Sequence, residues 1–236
     1  MRMKMLLPLY AKTNDWVARP LTRLSRRLPG SAVILKTCIV LTVALSQAGT
    51  AAAATPSEIY RENIGRVYTV HTATGLGTGF LFRTGHLATN AHVVHDAQSV
   101  EIESQDGDRF PARVVYKDVQ RDLAVLEFSS PIRPFQTLIP LRSRTGSLEI
   151  GESIVVIGSP GGLKGSVTTG IVSQVHSNGA IQLNAAVNSG NSGGPVFDRQ
   201  GRVLGIVTKK FLEFADGRAV DGLAIAIPIA WLGGVR

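Results

Sequence analysis

Three short stretches of the sequence carry side chains that can do covalent chemistry together. Ser192 lies in Gly190-Asn191-Ser192-Gly193-Gly194-Pro195. A seryl hydroxyl is a poor nucleophile until a base removes its proton and donors stabilise the oxyanion that forms. The flanking glycines let the backbone turn sharply, so the N–H groups of Gly190 and Ser192 can converge on one point as an oxyanion hole. Taken alone, the stretch also reads as a Gly-rich hairpin. His92 lies in Ala88-Thr89-Asn90-Ala91-His92-Val93-Val94, downstream of Gly77-Thr78-Gly79-Phe80. At a strand end it can offer one ring nitrogen to a hydroxyl and the other to a carboxylate. Asp122 opens Arg121-Asp122-Leu123-Ala124-Val125-Leu126, 30 residues after His92 and 70 before Ser192. An Asp leading into an apolar strand commonly caps a turn, but here it can also orient the imidazole. Asp118, in a polar turn, is the weaker candidate. The chemistry these residues support is acyl transfer, with serine attacking, histidine carrying the proton and aspartate fixing the tautomer.

Other chemistries find less support. His95 follows His92 by three residues, but no Glu stands between them as in H-E-x-x-H and no third ligand is apparent, so no metal or other cofactor is expected. His71, His86, His95 and His176 read as surface or structural histidines. Cys38 is the only cysteine and lies in the N-terminal apolar run. The expected folded part therefore has neither a disulfide nor a thiolate nucleophile.

The elements that must position the three residues are short strands separated by Gly, Pro, Asn and Asp. A helix is expected over Ser57–Ile64. Strands follow at Arg66–Thr72, Thr78–Phe82, His86–Thr89, Ser99–Ser104, Phe110–Lys117 and Leu123–Phe128. Phe110, Ala112, Val114 and Tyr116 share one face, with Arg113 and Lys117 on the other. Leu123–Phe128 is apolar on both faces apart from Glu127, as in a strand buried on both sides. A connector without periodicity runs from about Ser129 to Ser147. The second set is Ser153–Ile157, Gly165–His176, Ala180–Ala186, Pro195–Asp198, Val203–Lys209 and Leu223–Ile227, with a brief helix after Pro228. Two sets of about six strands predict an all-β chain of two small antiparallel barrels, although the strand count equally permits one sandwich.

The N-terminal region reads differently. Arg23, Arg26 and Arg27 precede an apolar run and then small residues through Ala54, the order of a secretory signal peptide cut near Ala53 or Ala54. The alternative is a retained membrane anchor, against which Lys36, Gln47 and Gly49 weigh. The pair Arg26-Arg27 is a poor twin-arginine signal because Leu28, Pro29 and Gly30 follow it. Residues 1–54 hold eight of the chain's 25 basic residues and one of its 17 acidic ones. The remainder is near neutrality, which removes the broad positive field that nucleic-acid binding requires.

With T-N-A-H-V-V, R-D-L-A-V-L and G-N-S-G-G-P in that order, the chain resembles the chymotrypsin-fold (trypsin-like) serine proteases, most closely their HtrA/Deg type. The likeness runs from about Gly75 to Pro228 and includes Thr168-Thr169-Gly170-Ile171-Val172-Ser173 and Ala226-Ile227-Pro228. It implies two six-stranded antiparallel barrels, about 66–130 and 150–227 within a protease domain of 55–236. The active site would lie in the cleft between them, with His92 and Asp122 from the first and Ser192 from the second. It further implies a serine endopeptidase acting on unfolded or extended polypeptides, in protein quality control or processing, exported to a bacterial periplasm or anchored in the inner membrane facing it. By the same resemblance Ala185, Ala186 and Val187 wall the primary pocket, and Leu223, Ala224, Ile225 and Ala226 line the substrate's edge strand. With no acid at the pocket base, small or medium aliphatic side chains are expected at the cleavage point. Tyr60 and Tyr68 are the aromatic candidates for homotrimer contacts. The likeness has departures: no PDZ domain is expected after the last strand, Ser189 stands where the family often has Pro, and Asn191 cannot supply the charge that activates digestive relatives. The competing reading is a latent or non-proteolytic peptide-binding, chaperone-like module on the same fold.

Overall fold

The computed structural model describes residues 53–129, 138–143, 148–209 and 223–235. The expected leader up to residue 52 and much of the expected connector lie outside the described residues. Thr55 starts helix α1 (Pro56–Asn63) with a reciprocal cap. Its hydroxyl accepts from the Glu58 N–H at 3.2 Å, and the Glu58 carboxylate accepts from the Thr55 N–H at 2.7 Å, so two N–H groups that the helix leaves unpaired are satisfied. Pro56 suits the first turn, where no N–H is needed. Among the described residues no helix is long and apolar enough to cross a membrane.

Six strands follow: β1 (Val67–Thr72), β2 (Gly75–Arg83), β3 (His86–Thr89), β4 (Ser99–Glu103), β5 (Arg109–Asp118) and β6 (Leu123–Glu127). They close in the order β1-β2-β3-β6-β5-β4. The second set is β7 (Ser153–Gly158), β8 (Ser166–Val175), β9 (Ile181–Leu183), β10 (Pro195–Phe197), β11 (Val203–Lys209) and β12 (Ala224–Pro228). It closes as β10-β11-β12-β9-β8-β7. Every pairing between these twelve strands is antiparallel. These are the two six-stranded barrels that the pattern predicts; the single sandwich is not what forms. Closure removes the exposed sheet edges that such short strands would otherwise present.

Strands apolar on both faces mark where the barrels meet. In β6, Ala124 and Leu126 join the interior of the first barrel, while Leu123 and Val125 join a cluster shared by both barrels. In β7, Ile154 and Val156 point into the second barrel, while Val155 and Ile157 enter the shared cluster. Period-two alternation thus feeds two cores from one strand, and each buried aliphatic side chain contributes roughly 1.5–3 kcal/mol. Ile59 from α1 and Ile229 and Leu232 from the terminal 3₁₀ turn (Ile229–Gly234) seal the same cluster. Tyr68, one of the two candidates for homotrimer contacts, is 4% exposed inside the first barrel, its ring centroid 5.6 Å from that of Phe128.

Polar bonds also cross between the barrels. Thr69 Oγ1 and Ser159 Oγ lie 2.7 Å apart, both buried. Lys164 Nζ donates to Glu103 Oε1 at 2.7 Å, and Glu103 Oε2 meets His71 Nε2 at 2.7 Å.

Candidate active site

β3 ends at Thr89, and Asn90 leads into a single helical turn, α2 (Ala91–Val94). His92 therefore stands on a short helix rather than at the strand end itself. Ala91, Val93 and Val94 turn inward, leaving the imidazole outward and 43% exposed. Asp122 enters β6 from a turn, with φ of +53°. Asp is among the few side chains that take up this left-handed conformation readily. Its carbonyl accepts from Asn90 Nδ2 at 2.9 Å, which ties the two loops together.

The Asp122 carboxylate collects donors from both barrels. Oδ1 accepts from the His92 backbone N–H at 3.0 Å, and His92 Nδ1 lies 2.8 Å from Oδ2 and 3.0 Å from Oδ1. Thr208 Oγ1, on β11, donates to Oδ2. Burial pushes this carboxyl's pKa up. The hydrogen bonds from His92 and Thr208 outweigh that effect and hold it below the usual aspartate value, as donors to a charged form do.

Ser192 sits on the loop between β9 and β10. Its Oγ donates to the Thr208 carbonyl at 3.2 Å, and among the described residues no hydrogen bond joins it to His92. The structure thus brings His92 and Asp122 into direct contact and links Ser192 to both through Thr208. Thr208 is the residue that motif reading missed. Thr208 is 6% exposed and ends the buried run Val203-Leu204-Gly205-Ile206-Val207, and no motif in the sequence marks it.

The loop before Ser192 is held peptide by peptide. Ser189 O accepts from Gly161 N–H at 2.8 Å, and Asn191 O accepts from Gly194 N–H at 2.9 Å. Peptides are planar and trans, so the N–H groups of Gly190 and Ser192 point opposite to those carbonyls. Neither N–H has a backbone partner among the described residues. Gly190 (φ +100°) and Gly193 (φ +87°) occupy conformations that other residues strain to adopt. A β-carbon on Gly193 would fall on the Thr78 carbonyl oxygen and Thr89 Oγ1. Gly193→Ala is therefore expected to lower stability by about 3 kcal/mol or more, read as a fall in thermal midpoint; an unchanged midpoint would refute this packing.

A cleft of about 670 Å³ opens beside the pair, lined among others by His92, Val119, Asp122, Thr208, Ile225 and Trp231. Arg121 lies across it, its guanidinium 6.0 Å from the Trp231 ring centroid. Of the expected pocket residues, Ile225 lines this cleft and is half-buried, as is Leu223. Ala185, Val187, Ala224 and Ala226 belong to the second-barrel core cluster, and Ala186 is exposed. His95 borders the cleft, and His71 and His86 pair with carboxylates, Glu103 and Glu127. Among the described residues, no cluster of three or more His, Cys, Asp or Glu has the geometry to hold a metal ion.

The chain is similar to known proteins. A family model described as a trypsin-like peptidase domain matches residues 77–206. A probable periplasmic serine endoprotease, DegP-like, of Brucella suis is 40% identical over 160 residues, covering 64% of this chain and 30% of its own length. Protease Do-like 1, chloroplastic, of Arabidopsis thaliana is 32% identical over 202 residues, covering 77% and 44%. The chain thus spans less than half the length of these relatives. The crystal structure of a serine endoprotease from Yersinia pestis superposes with a TM-score of 0.66 at 30% identity, over 77% of this chain and 65% of that one.

Proposed function

Since this chain belongs to the trypsin-like peptidase family, we propose that it is a serine endopeptidase of the HtrA/Deg type, working through an acyl-enzyme at Ser192. The observation that carries the reading is the Asp122 carboxylate, bonded to His92 Nδ1 at 2.8 Å on one barrel and to Thr208 beside Ser192 on the other. His92 Nδ1–H donates to Asp122, which leaves Nε2 as the free base. For the reaction, Ser192 Oγ–H must exchange the Thr208 carbonyl for Nε2 as its acceptor. Attack on a carbonyl carbon then passes the seryl proton to His92, and the oxyanion is met by the N–H groups of Gly190 and Ser192. His92 returns the proton to the leaving amine; water hydrolyses the acyl-enzyme by the same steps reversed.

The substrate class in this reading is extended polypeptide, seated along the cleft lined by Ile225 and Trp231; of the expected pocket residues, Ala186, Leu223 and Ile225 reach the surface, whereas Ala185, Val187, Ala224 and Ala226 support them from the core. The polypeptide substrate has support in the endoprotease names of the Brucella relative and the Yersinia structure. Export to a periplasm has support in the Brucella name and in the leader-like pattern of residues 1–54. A fluorophosphonate probe tests the chemistry, because only an activated seryl hydroxyl reacts with it. One adduct per chain is expected, on Ser192, and none in Ser192→Ala. A folded wild-type chain that stays unlabelled would return the function to peptide binding without cleavage.

A further inference from the structure

Thr78 lies on β2 of the first barrel and is fully buried, yet each of its polar groups is spent on, or next to, the loop that carries Ser192. Its backbone N–H donates to Ser192 O at 2.8 Å. Its hydroxyl donates to Gly190 O at 2.6 Å and accepts from the Ser159 N–H at 3.1 Å. Its carbonyl accepts from Thr89 Oγ1 at 2.7 Å. We propose that the Thr78 hydroxyl is a positioning group for the oxyanion hole, through which the first barrel sets the direction of two N–H groups on the second. This inference rests on the acyl-enzyme reading above.

Planar peptides make the mechanics explicit. The peptide between Ser189 and Gly190 carries the Gly190 N–H; the one between Asn191 and Ser192 carries the Ser192 N–H. Between them lies a single peptide, from Gly190 to Asn191, joined to both through the Gly190 and Asn191 Cα atoms, so that strain in it falls on the anchors of both neighbours, Ser189 O on Gly161 and Asn191 O on Gly194. One end of it, the Asn191 N–H, bonds only within the loop, to Asn188 O at 3.0 Å. The other end, Gly190 O, is gripped by the Thr78 hydroxyl. Gly190, at φ +100°, has no side chain to resist rotation. Without the hydroxyl, Gly190 O loses its donor and the Ser159 N–H its acceptor, both in buried surroundings. A buried polar group without a partner drives local rearrangement until one is found.

Three variants and one reagent test this. Thr78→Val keeps the shape and removes the hydroxyl, Thr78→Ser keeps the hydroxyl, and Thr69→Val removes a different buried hydroxyl between the barrels, the one on Ser159 Oγ. The rate of alkyl fluorophosphonate labelling is measured against pH, well below each thermal midpoint. Thr78→Val is expected to label about 10²-fold more slowly, the size of losing an oxyanion donor, with Thr78→Ser and Thr69→Val within about threefold of wild type. The pH midpoint of labelling should not move in Thr78→Val, because the His92–Asp122 contact is untouched. Should Thr78→Val not fold, Thr78→Cys, a weak donor in the same place, must fall between Ser and wild type on one side and complete loss on the other. A Thr78→Val or Thr78→Cys protein that labels like wild type, or no worse than Thr69→Val, overturns the proposal. A shifted pH midpoint also overturns it, since the damage would then lie in the His–Asp pair. A wild-type chain inert to the reagent overturns the protease reading itself, and this inference with it.

Discussion

Ser192→Ala is expected to lower kcat/KM for casein hydrolysis by about 10⁵-fold, with His92→Ala close behind and the double variant no worse than either. The non-additivity follows from the chemistry. Without the hydroxyl there is nothing for the imidazole to deprotonate, and without the imidazole the hydroxyl remains a weak nucleophile. What survives in each variant is the pair of N–H groups and the cleft, which polarise and hold a substrate for slow attack by water. Stability should change little in Ser192→Ala. Its Oγ makes one bond, to the Thr208 carbonyl at 3.2 Å, and the side chain is only half-buried; losing such a bond costs about 1 kcal/mol. Release of fluorescent fragments from labelled casein measures the first effect and thermal melting the second. Casein cleavage by both single variants at the wild-type rate would remove covalent catalysis from the account.

The strands were legible in the sequence because closed barrels impose strict alternation. Phe110, Ala112 and Val114 share the inner face of β5, as their spacing requires, but a bulge between Val114 and Tyr116 turns Tyr116 to the cluster shared by both barrels; β6 is apolar on both faces because it serves two cores. Tyr68 was misjudged because an aromatic ring near the start of a domain looks the same in sequence whether it faces a partner or its own barrel. The His92 and Asp122 pairing could be anticipated from motif order, but the turn that presents His92 could not. Ala91-His92-Val93-Val94 has too few residues for a helical period, and tertiary contacts through Val93 and Val94 decide it. Thr208 and Thr78 were invisible for a related reason. Their roles come from partners 86 and 112 residues away, Asp122 and Gly190, and no local spacing encodes such distances.

Asp122→Asn is expected to lower kcat by about 10⁴-fold while leaving KM within a few-fold, and the hydrogen-bond geometry dictates why. The wild-type carboxylate receives three donors: the His92 backbone N–H and the imidazole Nδ1–H at Oδ1 or Oδ2, and the Thr208 hydroxyl at Oδ2. Asparagine has a single oxygen. Facing its amide nitrogen towards the His92 backbone would oppose two donors in a partly buried site. The oxygen must therefore take the Oδ1 position, which puts the NH₂ against Nδ1 and Thr208. A hydroxyl can turn to accept; an imidazole can accept at Nδ1 only by moving its proton to Nε2. That tautomer has no lone pair left for the Ser192 proton, so catalysis fails with the fold intact. The same substitution has a signature in stability. Burial raises the Asp122 pKa, and the bonds from His92 and Thr208 lower it further than burial raises it. The folded chain consequently binds fewer protons than the unfolded chain as pH falls past about 4. The stabilisation is complete above the unfolded carboxyl's pKa and is lost as pH drops through the lower folded value. Chemical denaturation of wild type should show stability falling over that acidic window, with a shallower fall in Asp122→Asn. Parallel curves for the two proteins would mean that the carboxylate is not held charged by His92 and Thr208, and the tautomer argument would fall with it.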